Sequence, residues 1–410
     1  MTGGPGPLVG YELPGTGLPD PTRFLLETAA AAEAAGVGHL VLADRPAANP
    51  APGGFGAPVG SAAPAALIAA SLLAVRTTRV GLVVTATTAY TEPYDLARMI
   101  ASVDHISHGR AGWRVVTGPD PAADANHRRE GVDPATGREA RAREYVPLVR
   151  DLWDTWEDDA FVHDKSTGRF IDAHGIHVLD HRGPALRVRG PLNVVRPPQG
   201  HPVCFADAAD PLVADAADVL TTGDPDVPVT SAEAGGRPRL GVVTPFLAGT
   251  EAAARDLHAR SGAPRSDRDR AVLVGDAGGI AERLRAWYER GAVDGFVFRF
   301  PSPAAIGEFT AAVLPRLRPA GRSGPAPSAT TLRDHFGLAR PANRLAERLT
   351  GAAGRQGGER DGGQTGGRDR GRTGEQTGGQ AAGDPAGDHG AAPHPTGRPH
   401  TSGREKGLSA

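Results

Sequence analysis

Between residues 23 and 118 the chain repeats one pattern three times. A helical apolar run closes at or near a glycine, then passes into a short β-branched run ending in polar residues. "RFLLETAAAAEAAGV" leads to "GHLVLADR", "APAALIAASLLAVRT" to "RVGLVVTATTAY", and "PYDLARMIASVDHIS" to "GWRVVTG". Apolar residues at helical spacing mark the first member of each pair, and β-branched runs bounded by turn residues mark the second. Glycine closes a helix because it takes the left-handed conformation without a Cβ clash. Helix and strand alternating in this way imply a parallel sheet covered by helices.

The rhythm continues with one interruption. "REARAREYVPLVRDLWDTW" is a long amphipathic helix, and residues 157–201 form a polar, proline-rich insertion expected to be a small β excursion over one end of the sheet. "HPVCFA", "ADVLTTG", "RLGVVTPFLAG", "RAVLVGD" and "GFVFRFP" supply later strands, and "GGIAERLRAWYERGAVDG" a final helix. The strand count is near eight and no GxGxxG follows any strand. The expected fold is therefore a (β/α)8 TIM barrel rather than an open doubly wound sheet. The barrel domain is expected over residues 1–343, with a low-complexity, disordered tail over 344–410. From about Gly351 that tail carries almost no Leu, Ile, Val or aromatic residue with which to build a core.

Charge and cysteine content exclude several classes. The formal net charge is −2, so neither nucleic acid nor an anionic membrane is an expected partner. The single cysteine, Cys204, permits no internal disulfide and no cysteine-based zinc cage, and reads as a small buried hydrophobe. The histidines form no H-E-x-x-H or similar pair, so no metal site is expected. The N-terminus lacks the basic-then-apolar order of a signal peptide, and "AALIAASLLAV" is too short to cross a bilayer. The expected location is cytoplasmic.

In a barrel of this class the chemistry sits at the C-terminal ends of the strands. Those ends carry Asp44, Thr85, Thr87, Thr88, Arg114, Thr117, Ala206, Asp207 and Arg299. Threonine hydroxyls donate and accept without charge, which suits the polar edge of a neutral ring, although β-branched residues also favour strands for their own sake. Asp44 beside Arg45 reads equally as a salt bridge at a loop mouth. An arginine facing the lumen needs an anion, and for Arg114 the candidates are Asp44, Asp207 or a ligand phosphate. No catalytic acid, base or nucleophile stands out.

Longer strings carry a resemblance. "ATTAYTEPYDLARMIASVDHISHGRAGWRVVTG", "YVPLVRDLWDTWEDDAFVHDKSTGRF", "VRGPLNVVRPPQGHPV" and "TTLRDHFGLARP" resemble the bacterial luciferase-like flavin monooxygenases over residues 25–342. The subgroup is that of the nitrilotriacetate, dibenzothiophene-sulfone and pristinamycin monooxygenases. The resemblance implies a TIM barrel that uses reduced FMN, supplied by a separate NAD(P)H:flavin reductase, to insert oxygen from O₂ into a small organic substrate. It also implies a homodimer. Asp44, Thr85, Thr87, Trp113, Arg114, Thr117, Ala206 and Asp207 are the flavin-site positions it points to.

Three departures accompany it. Arg114 stands where the family has an asparagine, and "ATGRE" replaces an H-x-x-R-Y block, keeping Arg138 but putting Ala135 and Glu139 in place of His and Tyr. "FADAADPL" replaces a glycine-serine phosphate loop, and its Asp207 and Asp210 repel a phosphate. At an effective dielectric near 20, a like charge at ~4 Å costs about 4 kcal/mol. Two readings of Arg114 follow: compensating charge for an altered loop, or a plug paired to Asp44 or Asp207. The corresponding functional readings are a flavin monooxygenase and a non-catalytic relative that has lost flavin binding. A deazaflavin-dependent oxidoreductase of the same superfamily is a third.

Overall fold

The computed structural model describes residues 6–13, 20–44, 64–127, 137–227, 229–262, 271–318 and 329–348. Strands β1 (Leu8–Leu13), β2 (His39–Leu42), β3 (Gly81–Thr87) and β4 (Ala111–Val116) alternate with helices α1 (Pro21–Ala34), α2 (Ala66–Ala74) and α3 (Pro93–Ile106). Helices α4 (Pro121–Asn126) and α5 (Arg138–Trp153) follow. Two antiparallel pairs fill the expected insertion, β5 (Phe161–Asp164) with β6 (Arg169–Ile171) and β7 (His181–Arg182) with β8 (Arg187–Val188). Beyond them lie β9 (Val203–Asp207), β10 (Val219–Thr222), α6 (Ser231–Ala234), β11 (Arg239–Leu247), α7 (Glu251–Ser261), β12 (Ala271–Gly275), α8 (Ala277–Glu289) and β13 (Gly295–Arg299). Helices α9 (Pro303–Ala312), α10 (Leu314–Leu317) and α11 (Leu332–His335) complete the described chain. None of the described helices is long and apolar enough to cross a membrane.

The strands run β10-β9-β4-β3-β2-β1-β13-β11, and β10 also pairs with β11, which closes a ring of eight parallel strands. The barrel is as expected, but its membership is not. "RAVLVGD" is β12, which pairs with the C-terminal half of β11 outside the ring. Its place is taken by β1, "LVGYEL", a strand absent from the sequence-based set. The glycine is required there: a Cβ on Gly10 would lie 2.2 Å from His39 Nε2, so only glycine lets the neighbouring imidazole cross the lumen.

Side chains alternate across each strand. One set packs outward beneath the helices, with Trp113, Trp153, Tyr145 and Leu73 fully buried. The other fills the lumen with Val41, Val83, Val203, Phe205, Val219, Leu240 and Val297. Helix α11 shuts the N-terminal end. Its Leu332 sits where a Cβ on Gly81 or Gly112 would come within 2.4 or 2.7 Å of it. Gln199 ties this floor together, accepting from Arg333 N–H and donating to Asp104 and the Ala111 carbonyl.

The two halves of the ring are unequal. β9 and β10 are joined only through a 3-10 turn at Ala214–Ala216, and β10 and β11 through the four-residue α6. The barrel unit also extends past residue 343: Arg344 N–H donates to Asp154 Oδ2 at 2.9 Å and Leu345 is buried. By its contacts the chain divides into Met1–Gly357 and Gly358–Ala410. The expected tail beyond Arg348, like Arg45 and Ala135, lies outside the described residues.

Candidate functional site

Inward-facing positions near the C-terminal ends of four strands converge on one ion cluster. Glu12 of β1 accepts from Arg114 Nη1 of β4 at 2.6 Å and from Arg299 Nε of β13 at 2.8 Å, both on Oε2. Arg114 Nη2 also donates to Thr85 Oγ1 of β3 at 3.0 Å. The register explains the meeting, since Glu12 lies opposite Arg299 and Thr85 opposite Arg114. Glu12 and Arg114 are only 11% and 12% exposed at the side chain. Burial alone would raise the Glu12 carboxyl, but the two guanidinium groups outweigh it and bring the pKa down to about 2. Taken by themselves, these three residues carry two cations and one anion.

The anion paired with Arg114 is thus Glu12, and neither of the expected acids. Asp44 instead caps a helix: its Oδ2 accepts from Ala66 N–H at 3.0 Å, at the N-terminus of α2, where Ala65 has no side-chain cap to offer. Asp207 accepts from Ala209 N–H at 2.8 Å within its own loop. Thr117 donates to Asp210 Oδ2, and Thr87 Oγ1 accepts from Ala89 N–H at 3.3 Å. The side chains of Trp113 and Ala206 lie away from the lumen. Each sits on the helix-facing side of its strand, beside an inward neighbour, and Trp113 packs edge-on against Trp153 with ring centroids 6.2 Å apart.

Several buried polar atoms near the mouth have no hydrogen-bond partner: Arg114 Nε, Thr88 Oγ1 and Thr244 Oγ1. Thr244 follows Val243, whose register partner is Phe298, so it lies level with Arg299. Buried donors left unmet are costly and uncommon, and those of Arg114 and Thr244 lie on inward positions near the top of the lumen. Above β3 and β4 a second group assembles. Tyr90 OH donates to Asp124 Oδ1 at 2.6 Å, Arg138 Nη2 donates to the same carboxylate at 2.9 Å, and the Tyr90 and His127 rings stack at 4.6 Å. Sequence reading found Arg138 but missed Tyr90 and His127. Glu139, the next residue, is exposed.

The profile of the family described as "Luciferase-like monooxygenase" matches residues 6–226. The N-acetyl-S-(2-succino)cysteine monooxygenase of Bacillus subtilis is 32% identical over 360 residues, covering 68% of this chain and 82% of that protein. Nitrilotriacetate monooxygenase component A of Aminobacter aminovorans is 33% identical over 366 residues, covering 69% and 80%. Among solved structures, EDTA monooxygenase from Chelativorans sp. BNC1 superposes with a TM-score of 0.67 at 24% identity, covering 82% of this chain and 99% of that one.

Proposed function

The chain belongs to the luciferase-like monooxygenase family, and we propose that it is a two-component monooxygenase taking reduced flavin at the mouth described above. The observation that carries this reading is the Glu12–Arg114–Arg299 cluster, with two cations to one anion and an unpartnered Arg114 Nε above an apolar lumen. Reduced flavin is anionic at neutral pH and oxidised flavin is neutral, so a cationic seat favours the reduced form. Bound there, reduced flavin would supply the electrons with which O₂ is activated for insertion into a small organic substrate.

The protein's own contribution is positioning. Glu12 fixes both guanidinium groups through charge-assisted bonds, so the Nε of Arg114 is held in place before anything binds. Thr85 holds Arg114 from the other side, and the hydroxyl of Thr244 remains for the polar edge of a ring. Val41, Val83, Phe205 and Val297 pack the lumen beneath as an apolar layer.

In this reading the flavin is FMN, delivered by a separate NAD(P)H:flavin reductase in the cytoplasm. A second copy of the chain docks on the α2 face, where Ile68 and Val75 are 67% and 65% exposed. The test is an anaerobic titration of the full chain with reduced FMN, followed by tryptophan fluorescence. Saturable quenching in the micromolar range is expected. No saturation up to about 1 mM, a binding free energy of only about 4 kcal/mol, would leave the non-catalytic relative as the correct reading.

A further inference from the structure

We propose that this site holds its flavin without reading the phosphate, so that riboflavin binds as tightly as FMN. The inference rests on the flavin reading above and concerns the loop after β9, where the family resemblance places the phosphate. A phosphate loop works by offering free backbone N–H groups and hydroxyls. Here those donors are spent. Ala208 N–H goes to the Thr221 carbonyl at 2.9 Å, Ala209 N–H to Asp207 Oδ1 at 2.8 Å, and Asp210 N–H to the Asp207 carbonyl at 3.1 Å. Pro211 has none to give. Leu212 N–H goes to Asp210 Oδ1 at 3.0 Å, and the next two N–H groups go to the Asp210 carbonyl at 3.3 and 3.0 Å.

The nearest hydroxyl, Thr117 Oγ1, is taken by Asp210 Oδ2. Among the described residues the loop therefore answers its own donors, with the carboxylates and carbonyls of Asp207 and Asp210 standing in the role a phosphate would have. Arg138 does not reverse this. It keeps a buried Nη1 without a partner, but both oxygens of Asp124 lie within 3.2 Å of its Nη2 and meet its charge.

The experiment compares FMN with riboflavin on the full chain, each reduced and titrated anaerobically. Dissociation constants within tenfold of each other are expected, and FMN binding more than tenfold tighter would overturn the proposal while leaving the flavin reading intact. Absence of binding by either ligand would overturn both. Asp210→Asn removes one of the two charges. It should shift the ratio toward FMN by fivefold or more, and an unchanged ratio would show that the carboxylate is not what excludes the phosphate. The wild-type ratio stands whether or not that variant folds.

Discussion

The two ends of the barrel are built on opposite plans. At the floor, Leu332 fills a notch made by two glycines, and Gln199 gives its amide to Asp104, to the Ala111 carbonyl and to α11. At the mouth, charge gathers in the lumen and buried donors go unmet at Arg114, Thr88 and Thr244. Floor residues are tied mainly to one another, with His39 Nε2 the buried atom left unmet among them, whereas at the mouth two guanidinium groups share one carboxylate. That asymmetry is what a barrel enzyme needs, with stability placed at one end and chemistry at the other.

The contrast breaks most visibly at the floor. Leu332→Ala removes a fully buried side chain and should cost about 4 kcal/mol in chemical denaturation, while flavin affinity of the folded protein stays unchanged. A matching loss of affinity would show that the ends are coupled. At the mouth, Glu12→Ala leaves two guanidinium groups without their shared anion. A loss of about 2 kcal/mol is expected, together with tighter binding of reduced relative to oxidised flavin.

Acid and base distinguish the ends by sign. Glu12 is depressed to about 2 from 4.5, so its contribution is complete above pH 4.5 and is lost as pH falls through about 2. Asp104 behaves oppositely. Burial outweighs the donors from Gln199 and Ala111 and raises it to about 7 from 3.8. Stability from Asp104 is therefore complete below pH 3.8 and is lost as pH rises through about 7. Asp104→Asn should flatten stability between pH 4 and 7, and Glu12→Gln should flatten it between pH 4.5 and 2. Denaturation midpoints across pH measure both.

The smallest effect concerns Cys204, which is fully buried, its thiol pushed far up by desolvation. A thiol reagent should label it only after unfolding, and rapid labelling of the native protein would place β9 at a looser edge than its ring position allows.

The repeating unit was legible because helix and strand periods differ and glycine punctuates both. The face each strand residue takes was left unassigned. Trp113 with Arg114, and Ala206 with Asp207, are adjacent on strands and cannot share a face. An inward arginine therefore sends Trp113 under the helices, a signal present in the sequence and left unused. β1 was hidden because its glycine, demanded by His39 across the lumen, reads locally as a breaker. With β1 unrecognised, Glu12 was unavailable as a partner for Arg114. The choice among carboxylates depends on register across the ring, which no local pattern carries.

The central claim is that the paired guanidinium groups of Arg114 and Arg299 seat an anionic reduced ring. Its most direct test is the midpoint potential of flavin bound to the wild-type chain, compared with flavin bound to Arg114→Met. The account predicts a wild-type potential at least 30 mV above that of free flavin, corresponding to reduced flavin bound about tenfold more tightly for this two-electron couple. The rise should disappear in the variant. A potential unchanged or lowered on binding to the wild-type chain would contradict it.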